Sequence, residues 1–198
     1  MKHCKFILPF FLILIVTLSF ADTTGALKLP AIFSDNMVFQ RDMKNPIWGW
    51  ASPGSKITVR FAKQDSTTIT DQDGKWKLDL RSMGAGGPYQ LIVMDNDEHI
   101  ILLQNILVGE VWLCSGQSNM EMPVGDGWGK VLNYEKETAE ANYPEIRLIT
   151  INRKSYPMPI DEASTKGWVP CTPDSVNNFS ASAYFFGREL YRKLNVPI

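Results

Sequence analysis

The chain contains 198 residues with 20 basic and 21 acidic side chains, which gives a formal net charge of −1 at pH 7. Acids and bases are interspersed without a basic patch or tail, so nucleic-acid binding has no electrostatic support. Two histidines and three cysteines are too few and too scattered to form a clustered metal site, and we expect no cofactor.

The N-terminal segment has the features of a secretory signal peptide. Lys2 and Lys5 precede an apolar run over residues 6–20, and small residues suited to signal peptidase end at Ala21. The run is short for a membrane span, which needs about 20 residues, although a retained anchor helix is the alternative. We therefore leave residues 1–21 out of the fold. We predict a secreted or periplasmic protein without stable membrane insertion after cleavage.

Two cysteines, Cys114 and Cys171, follow this segment. An oxidising compartment permits a disulfide between them. However, Cys114 lies in an apolar run, where a free thiol commonly packs as a small hydrophobic group. The sequence does not fix the Cα–Cα separation that a disulfide requires, so both states stay open.

Residues 27–107 contain short strand-like runs separated by turn residues. Apolar and polar residues alternate at 59–61 and 76–80, as in half-buried antiparallel strands. Asp73-Gly74 between two such runs predicts a hairpin. Many short strands at this spacing indicate an all-β sandwich over residues 27–107. The predicted strands cover residues 47–50, 56–61, 67–70, 75–80, 89–94 and 99–103.

The pattern changes near residue 107. A strand long enough for the centre of a sheet is predicted at 106–114, a helix at 130–142, a strand at 146–151 and a helix at 178–194. This order is typical of the start of an α/β domain with a parallel sheet. Another parallel strand is expected where the chain stops, so we interpret residues 108–198 as an incomplete domain.

The segment with the most chemical content follows the predicted strand at 106–114. A hydroxyl nucleophile needs exposure, a nearby base and donors for the oxyanion. Ser118 would be exposed just past the end of a strand, and its amide would face developing negative charge. Gly116 would allow a sharp turn and close substrate approach. Small polar residues after a strand are also typical of an ordinary loop, and Met120 replaces the second glycine of a G-x-S-x-G motif.

The run GQSNM at 116–120, after GEVW at 109–112, resembles the first sequence block of the sialate O-acetylesterase family, a branch of the SGNH hydrolases. Further ordered matches extend the resemblance over nearly the whole chain that follows the signal peptide. These matches are LPAIFSDNMVFQR at 29–41, PIWGWA at 46–51, DGKW at 73–76 and NFSASAYFFGREL at 178–190.

The resemblance implies a β-sandwich followed by the start of a flavodoxin-like, three-layer α/β SGNH-hydrolase domain. It also implies that Ser118 attacks an acetyl ester on a carbohydrate and that its amide is one oxyanion donor. Gly116, Gln117 and Asn119 would shape the nucleophile turn. The acetylated sugar stays open between sialic acid and xylan or another polysaccharide, because specificity resides in loops around the sugar.

The family's remaining oxyanion donors and its late Asp-x-x-His pair cannot be placed in this sequence. His99 lies outside the α/β segment and is read as a surface residue at a strand start. We therefore expect the 198-residue chain alone to have little or no esterase activity.

A non-catalytic carbohydrate-binding module is the alternative to an esterase. Its exposed aromatic residues would be Trp48, Trp50 and Trp76. Their strand context favours the core instead, so we predict that Trp76 and one of the other two are largely buried.

Overall fold

The computed structural model describes residues 25–96, 98–125, 127–129 and 131–198. The predicted signal peptide at 1–21 lies outside these residues. The described chain is mostly β-structure with a few helices. Within it, no helix combines the length and apolar character needed to cross a membrane.

The strands are β1 (Val38–Gln40), β2 (Asn45–Trp50), β3 (Lys56–Phe61), β4 (Gln64–Ile69), β5 (Lys75–Leu80), β6 (Gly86–Asp95), β7 (His99–Gly109), β8 (Tyr143–Leu148) and β9 (Val169–Cys171), and the helices are α1 (Ser118–Glu121), α2 (Tyr134–Ala139), α3 (Pro173–Asn177) and α4 (Ala181–Leu194).

The largest sheet has the strand order β1-β7-β6-β3-β4. Its neighbours are antiparallel, except that β1 runs parallel to β7 with Val38 opposite Leu107. In β3 the apolar residues Ile57, Val59 and Phe61 are all buried, as the two-residue period of a strand requires for one covered face. This sheet therefore has one face against a core.

The second sheet pairs β2 with β5 and covers that same core. Ile47, Trp76 and Leu80 from this sheet belong to one buried cluster with residues of β3, β6 and β7. Trp48 and Trp50 alternate with Ile47, so they lie on the opposite face and are only half-buried. The prediction that Trp76 is buried is confirmed. Trp48 and Trp50 are partly covered, but they are not part of this core cluster, so the expectation that their strand context directs them to the core is wrong.

The turn at Asp73-Gly74 forms, but it does not join a hairpin. The Asp71 carboxylate accepts the backbone N–H groups of Asp73 at 2.9 Å and Lys75 at 2.8 Å, which closes a tight turn. Beyond it the strands separate, because β4 pairs with β3 whereas β5 pairs with β2. The turn thus carries the chain from one sheet to the other across the shared core.

The strand predicted at 106–114 has different bounds in the structure. Residues 106–109 continue β7 in the largest sheet, and residues 110–117 form no strand. Val111, Trp112 and Leu113 are exposed, the last at 89%. A strand needs hydrogen-bonded neighbours, and in the described chain this segment has none of the ladder pairing that defines one.

A second buried cluster lies in the later part of the chain. It combines Ile146 and Leu148 of β8 with residues of β9, α3 and α4, among them the fully buried Tyr184. β8 pairs antiparallel with β9, a pairing that the sequence did not predict. The predicted helix at 178–194 is confirmed as α4, whose start is capped by Ser180 accepting the Ala183 N–H at 3.3 Å.

The last residues of the chain return to β8. The Ile198 N–H donates to the Glu145 carbonyl at 3.0 Å, and the Arg147 N–H donates to the Ile198 carbonyl at 2.8 Å. These two bonds to alternate residues of one strand are the pattern of parallel neighbours. On the other side, the Glu110 N–H donates to the Pro197 carbonyl at 2.8 Å. The chain end therefore lies between β8 and the residue that follows β7.

Candidate active site

Ser118 is the first residue of α1, and it is exposed. Its Oγ has no hydrogen-bond partner among the described residues. Its backbone N–H, as the first of the helix, has no acceptor within the helix either. A nucleophile and an oxyanion donor both need free hydrogen-bonding capacity, so both groups are available to a ligand.

The segment that leads to Ser118 is attached to the first sheet and to α4. Glu110 pairs with Arg41 at 2.7 Å, and the Val111 N–H donates to the Gln40 side chain at 2.8 Å. The Trp112 ring then meets Phe186 of α4 edge to face, with 5.3 Å between the ring centroids. These contacts hold residues 110–112 in place without strand pairing.

The segment that follows Ser118 is attached to the start of α4. The Asn119 carbonyl accepts the Ser182 hydroxyl at 3.2 Å, and the Ala181 N–H donates to the Met122 carbonyl at 2.8 Å. Val124 is fully buried, and its N–H donates to the Phe179 carbonyl at 3.0 Å. The turn is therefore attached on both sides of the serine.

Gly116, Gln117 and Asn119 flank the serine in the chain, and all three are exposed. Gln117 is the extended residue before α1, and its carbonyl accepts the Met120 N–H at 2.8 Å. Gly116 does not adopt a positive φ. A side chain at Gly116 would instead approach the Met120 side chain at 2.7 Å, so the glycine gives Met120 room to fold over the turn.

The described histidine is not a partner of Ser118. His99 begins β7 and lies 3.8 Å from the Asp95 carboxylate, and no hydrogen bond or ion pair joins it to Ser118. His99 and Gly109 are the two ends of β7, and a strand of this length places them about 33 Å apart. The chain continues towards Ser118 from the Gly109 end. The structure therefore supplies no general base to Ser118 from the described residues.

Other polar groups near the serine have partners of their own. Glu121 pairs with the exposed Arg153 at 2.7 Å. Asp126, the other acid close in sequence, lies outside the described residues. Among the described residues, no three His, Cys, Asp or Glu side chains cluster as metal ligands would.

The two cysteines are free and differ in environment. Cys114 is exposed and Cys171 is fully buried, so they do not form a disulfide. Desolvation raises the pKa of Cys114, which keeps this neighbour of Ser118 in the weakly nucleophilic thiol form at neutral pH. Burial raises the pKa of Cys171 to about 11.

Comparison with known proteins identifies relatives over most of the chain. It is 27% identical over 189 residues to a sialate O-acetylesterase of Homo sapiens, which covers 86% of this chain and 35% of that protein. It is 29% identical over 187 residues to a sialate O-acetylesterase of Mus musculus, with 85% and 34% covered. The chain thus spans about a third of the length of these curated relatives.

A solved structure shows the same relationship. A carbohydrate acetylesterase from Xanthomonas citri superimposes with a TM-score of 0.82 at 35% sequence identity, covering 87% of this chain and 39% of that one. No protein-family model matches the chain. The relatives and the shared fold together lead to one conclusion, that this chain is homologous to sialate O-acetylesterases over about a third of their length.

Proposed function

We propose that the protein containing this chain is a carbohydrate O-acetylesterase with Ser118 as its nucleophile. The observation that carries the proposal is the state of Ser118, an exposed residue whose hydroxyl and N–H have no hydrogen-bond partner in the described chain. The relatives are named as acetylesterases, and this supports the reaction class.

The proposed reaction is acyl transfer in two steps. Ser118 Oγ attacks the acetyl carbonyl, its proton passes to a base and then to the departing sugar oxygen, and an acetyl-enzyme forms. Water then attacks the acetyl-enzyme, which releases acetate and restores the serine. The Ser118 N–H would donate one hydrogen bond to the oxyanion in each step. No cofactor is required by this chemistry.

We infer a substrate in which the acetyl group is carried by a carbohydrate. Sialic acid esters and acetylated polysaccharides such as xylan are both candidates, since the relatives are named for sialate in one case and for carbohydrate in the other. The parts of the substrate away from the acetyl group would distinguish these candidates, because an enzyme uses the energy of binding such parts to accelerate the reaction at the ester.

The fold proposal is a β-sandwich over residues 27–107 and the first part of an SGNH-type α/β domain over residues 108–198. Two sheets on one core and a separate second cluster support this division. The parallel contact between Ile198 and β8, which follows a crossover through α3 and α4, supports the α/β assignment. The division at residue 107 stays a prediction, because β7 crosses it.

We also propose that the protein is exported after removal of residues 1–21. Mass spectrometry of protein recovered outside the cytoplasm should show a chain that begins at Asp22. An intact Met1 terminus in a membrane fraction would favour a retained anchor instead.

The catalytic proposal is tested by acetate release from O-acetylated sialic acid and from acetylated xylan, using the whole protein that contains this chain. Ser118→Ala should lower kcat by several orders of magnitude, because members of a catalytic triad act as a unit. Ser115→Ala is the matched control, since Ser115 is exposed in the same segment and should retain near-normal turnover. Normal turnover by a folded Ser118→Ala variant would disprove the assignment.

The chain of residues 22–198 alone should show no Ser118-dependent turnover. Without a base in hydrogen-bond reach, a serine hydroxyl is a poor nucleophile at neutral pH. Acetate release that is lost in Ser118→Ala would mean that this chain, or a second copy of it, provides a base.

A further inference from the structure

An open cleft of about 540 Å³ lies on the outer side of the sheet formed by β2 and β5, and we call it the β2–β5 cleft. None of residues 110–122 lines it, so it is distinct from the candidate nucleophile. The lining residues that matter here are Trp48, Trp50, Lys75, Trp76, Lys77 and Asp161.

Strand alternation places two indole rings at this cleft. Ile47 is fully buried in the first core, so Trp48 and Trp50 on the opposite face have no place in that core. Both are half-buried, and they are about 7 Å apart along the strand. Cross-strand neighbours Lys77 and Lys75 lie beside them. The outer face of this sheet is therefore both aromatic and polar.

Neighbouring side chains fix the two rings. Phe33 meets Trp48 edge to face, with 4.8 Å between centroids and 76° between planes. The Lys28 ammonium lies 5.3 Å from the centre of the Trp50 ring. Aromatic side chains that are already held lose little conformational entropy on binding, which favours a ligand.

Charges around the cleft are balanced by ion pairs. Lys75 pairs with Asp161 at 2.7 Å, and Lys28 pairs with Glu162 at 2.8 Å. The charged residues of the lining are two lysines and two aspartates, so its formal charge is zero. An ionic ligand would have to compete with these pairs.

The Lys77 ammonium at the cleft has no acceptor in the described chain. Lys77 is exposed, lies opposite Trp48 on the neighbouring strand, and forms no ion pair or hydrogen bond with the described residues. Trp76 borders the cleft, but its ring lies on the core face of the sheet and its Nε1–H is buried there. A ligand in the cleft would therefore meet Lys77 rather than the Trp76 donor.

We propose that the β2–β5 cleft binds an uncharged pyranose residue of a glycan. A pyranose has an apolar C–H face that can pack on Trp48 or Trp50, and hydroxyl oxygens that can accept from the Lys77 ammonium. The balanced charge favours an uncharged sugar over a carboxylate sugar. The cleft would hold the polysaccharide at a place separate from Ser118 and independent of its chemistry.

The test is a titration of the folded chain with xylohexaose, cellohexaose and mannohexaose, with N-acetylneuraminic acid as the charged comparison. Calorimetry gives the affinity, and two-dimensional NMR of the indole N–H groups reports which tryptophans respond. We expect at least one neutral hexasaccharide to bind and to shift the Nε1–H resonance of Trp48 or Trp50. Trp48→Ala should weaken that binding at least tenfold. Trp128→Ala, which removes a tryptophan that is 65% exposed and absent from the cleft lining, should leave it unchanged.

Lys77→Met serves as a second variant should Trp48→Ala fail to fold, and it should weaken binding several-fold. The proposal is overturned by an absence of binding to all three hexasaccharides at concentrations up to about 10 mM, a limit that includes weak binding. Tighter binding of N-acetylneuraminic acid, or equal binding by the Trp48 and Trp128 variants, would also overturn it. Acetate release plays no part in this titration, so its outcome is independent of the Ser118 proposal.

Discussion

Arg147 lies between the two buried clusters and is only 8% exposed. From β8, its guanidinium donates to the Pro144 carbonyl at 2.8 Å, to the Asn36 carbonyl at 3.1 Å and to the Asn105 side chain at 3.1 Å. Asn36 precedes β1 and Asn105 lies in β7, so the guanidinium links the second cluster to the first sheet. We predict that Arg147→Met destabilises the protein.

The structure sets the size of the effect. Removal of the guanidinium leaves four acceptors without this donor, namely the Pro144 carbonyl, the Asn36 carbonyl, the Asn105 carbonyl and the Asn105 Oδ1. At about 1 kcal/mol for each acceptor, the loss is about 4 kcal/mol. Burial of the charged guanidinium is itself unfavourable, as the lowered pKa of Arg147 indicates. Removing the charge removes this desolvation cost, which offsets part of the loss. The expected net cost is about 2–3 kcal/mol, or roughly 5–10 °C in Tm.

Urea unfolding and thermal melts of the chain measure this cost. Arg153→Met is the matched control, because Arg153 is 84% exposed and its pair with Glu121 should contribute less than about 1 kcal/mol. Arg147→Lys keeps the charge but loses the planar fork, so it should also be destabilised. An Arg147→Met variant within about 0.5 kcal/mol of the parent chain would refute the reasoning.

Two further predictions concern the thiols and pH. In the chain that starts at Asp22, one thiol should react at once with a disulfide reagent because Cys114 is exposed, and the second only after unfolding because Cys171 is buried. A native chain with no reactive thiol would contradict this. Burial raises the pKa of Tyr184 and raises that of Cys171 to about 11, so the unfolded chain loses these protons first as pH rises. Stability should therefore fall between about pH 9 and 11 because of Cys171, and above about pH 10 because of Tyr184 as well. The slope is at most about 1.4 kcal/mol per pH unit for each group, and Cys171→Ala should reduce the slope of urea midpoints from about pH 9 upward.

The positions of strands could be predicted from the sequence, because the alternation of apolar and polar residues is a local pattern. The pairing of strands could not be predicted from this pattern. The predicted strands at 56–61 and 75–80 match β3 and β5. The Asp73-Gly74 signal correctly gave a turn, since Asp71 closes it within five residues. Whether β5 continues beside β4 or crosses to β2 depends on which faces cover the core, and that is a property of the whole sheet.

The orientation of the two tryptophans in β2 could have been predicted from the sequence. In the run PIWGW, Ile47 and the two tryptophans alternate, so burial of Ile47 places Trp48 and Trp50 on the other face. Ring size suggested the core, but register decides orientation more strongly than size does. That register also predicts a tryptophan-lined outer face on β2. It does not predict the contribution of Asp161, which contacts Lys75 although the two residues are 86 positions apart in sequence.

The position of Ser118 depends on both clusters, and this connects stability with the proposed activity. The upstream segment is attached to the first sheet through Glu110 and Arg41, whereas the downstream segment joins the second cluster through Val124. A shift of one cluster relative to the other would strain the nucleophile turn, because its upstream segment is attached to both clusters and its downstream segment to the second. Because a displacement of about 1 Å at a reacting centre can cost about a hundredfold in rate, loosening the Arg147 link should lower kcat before it unfolds the protein.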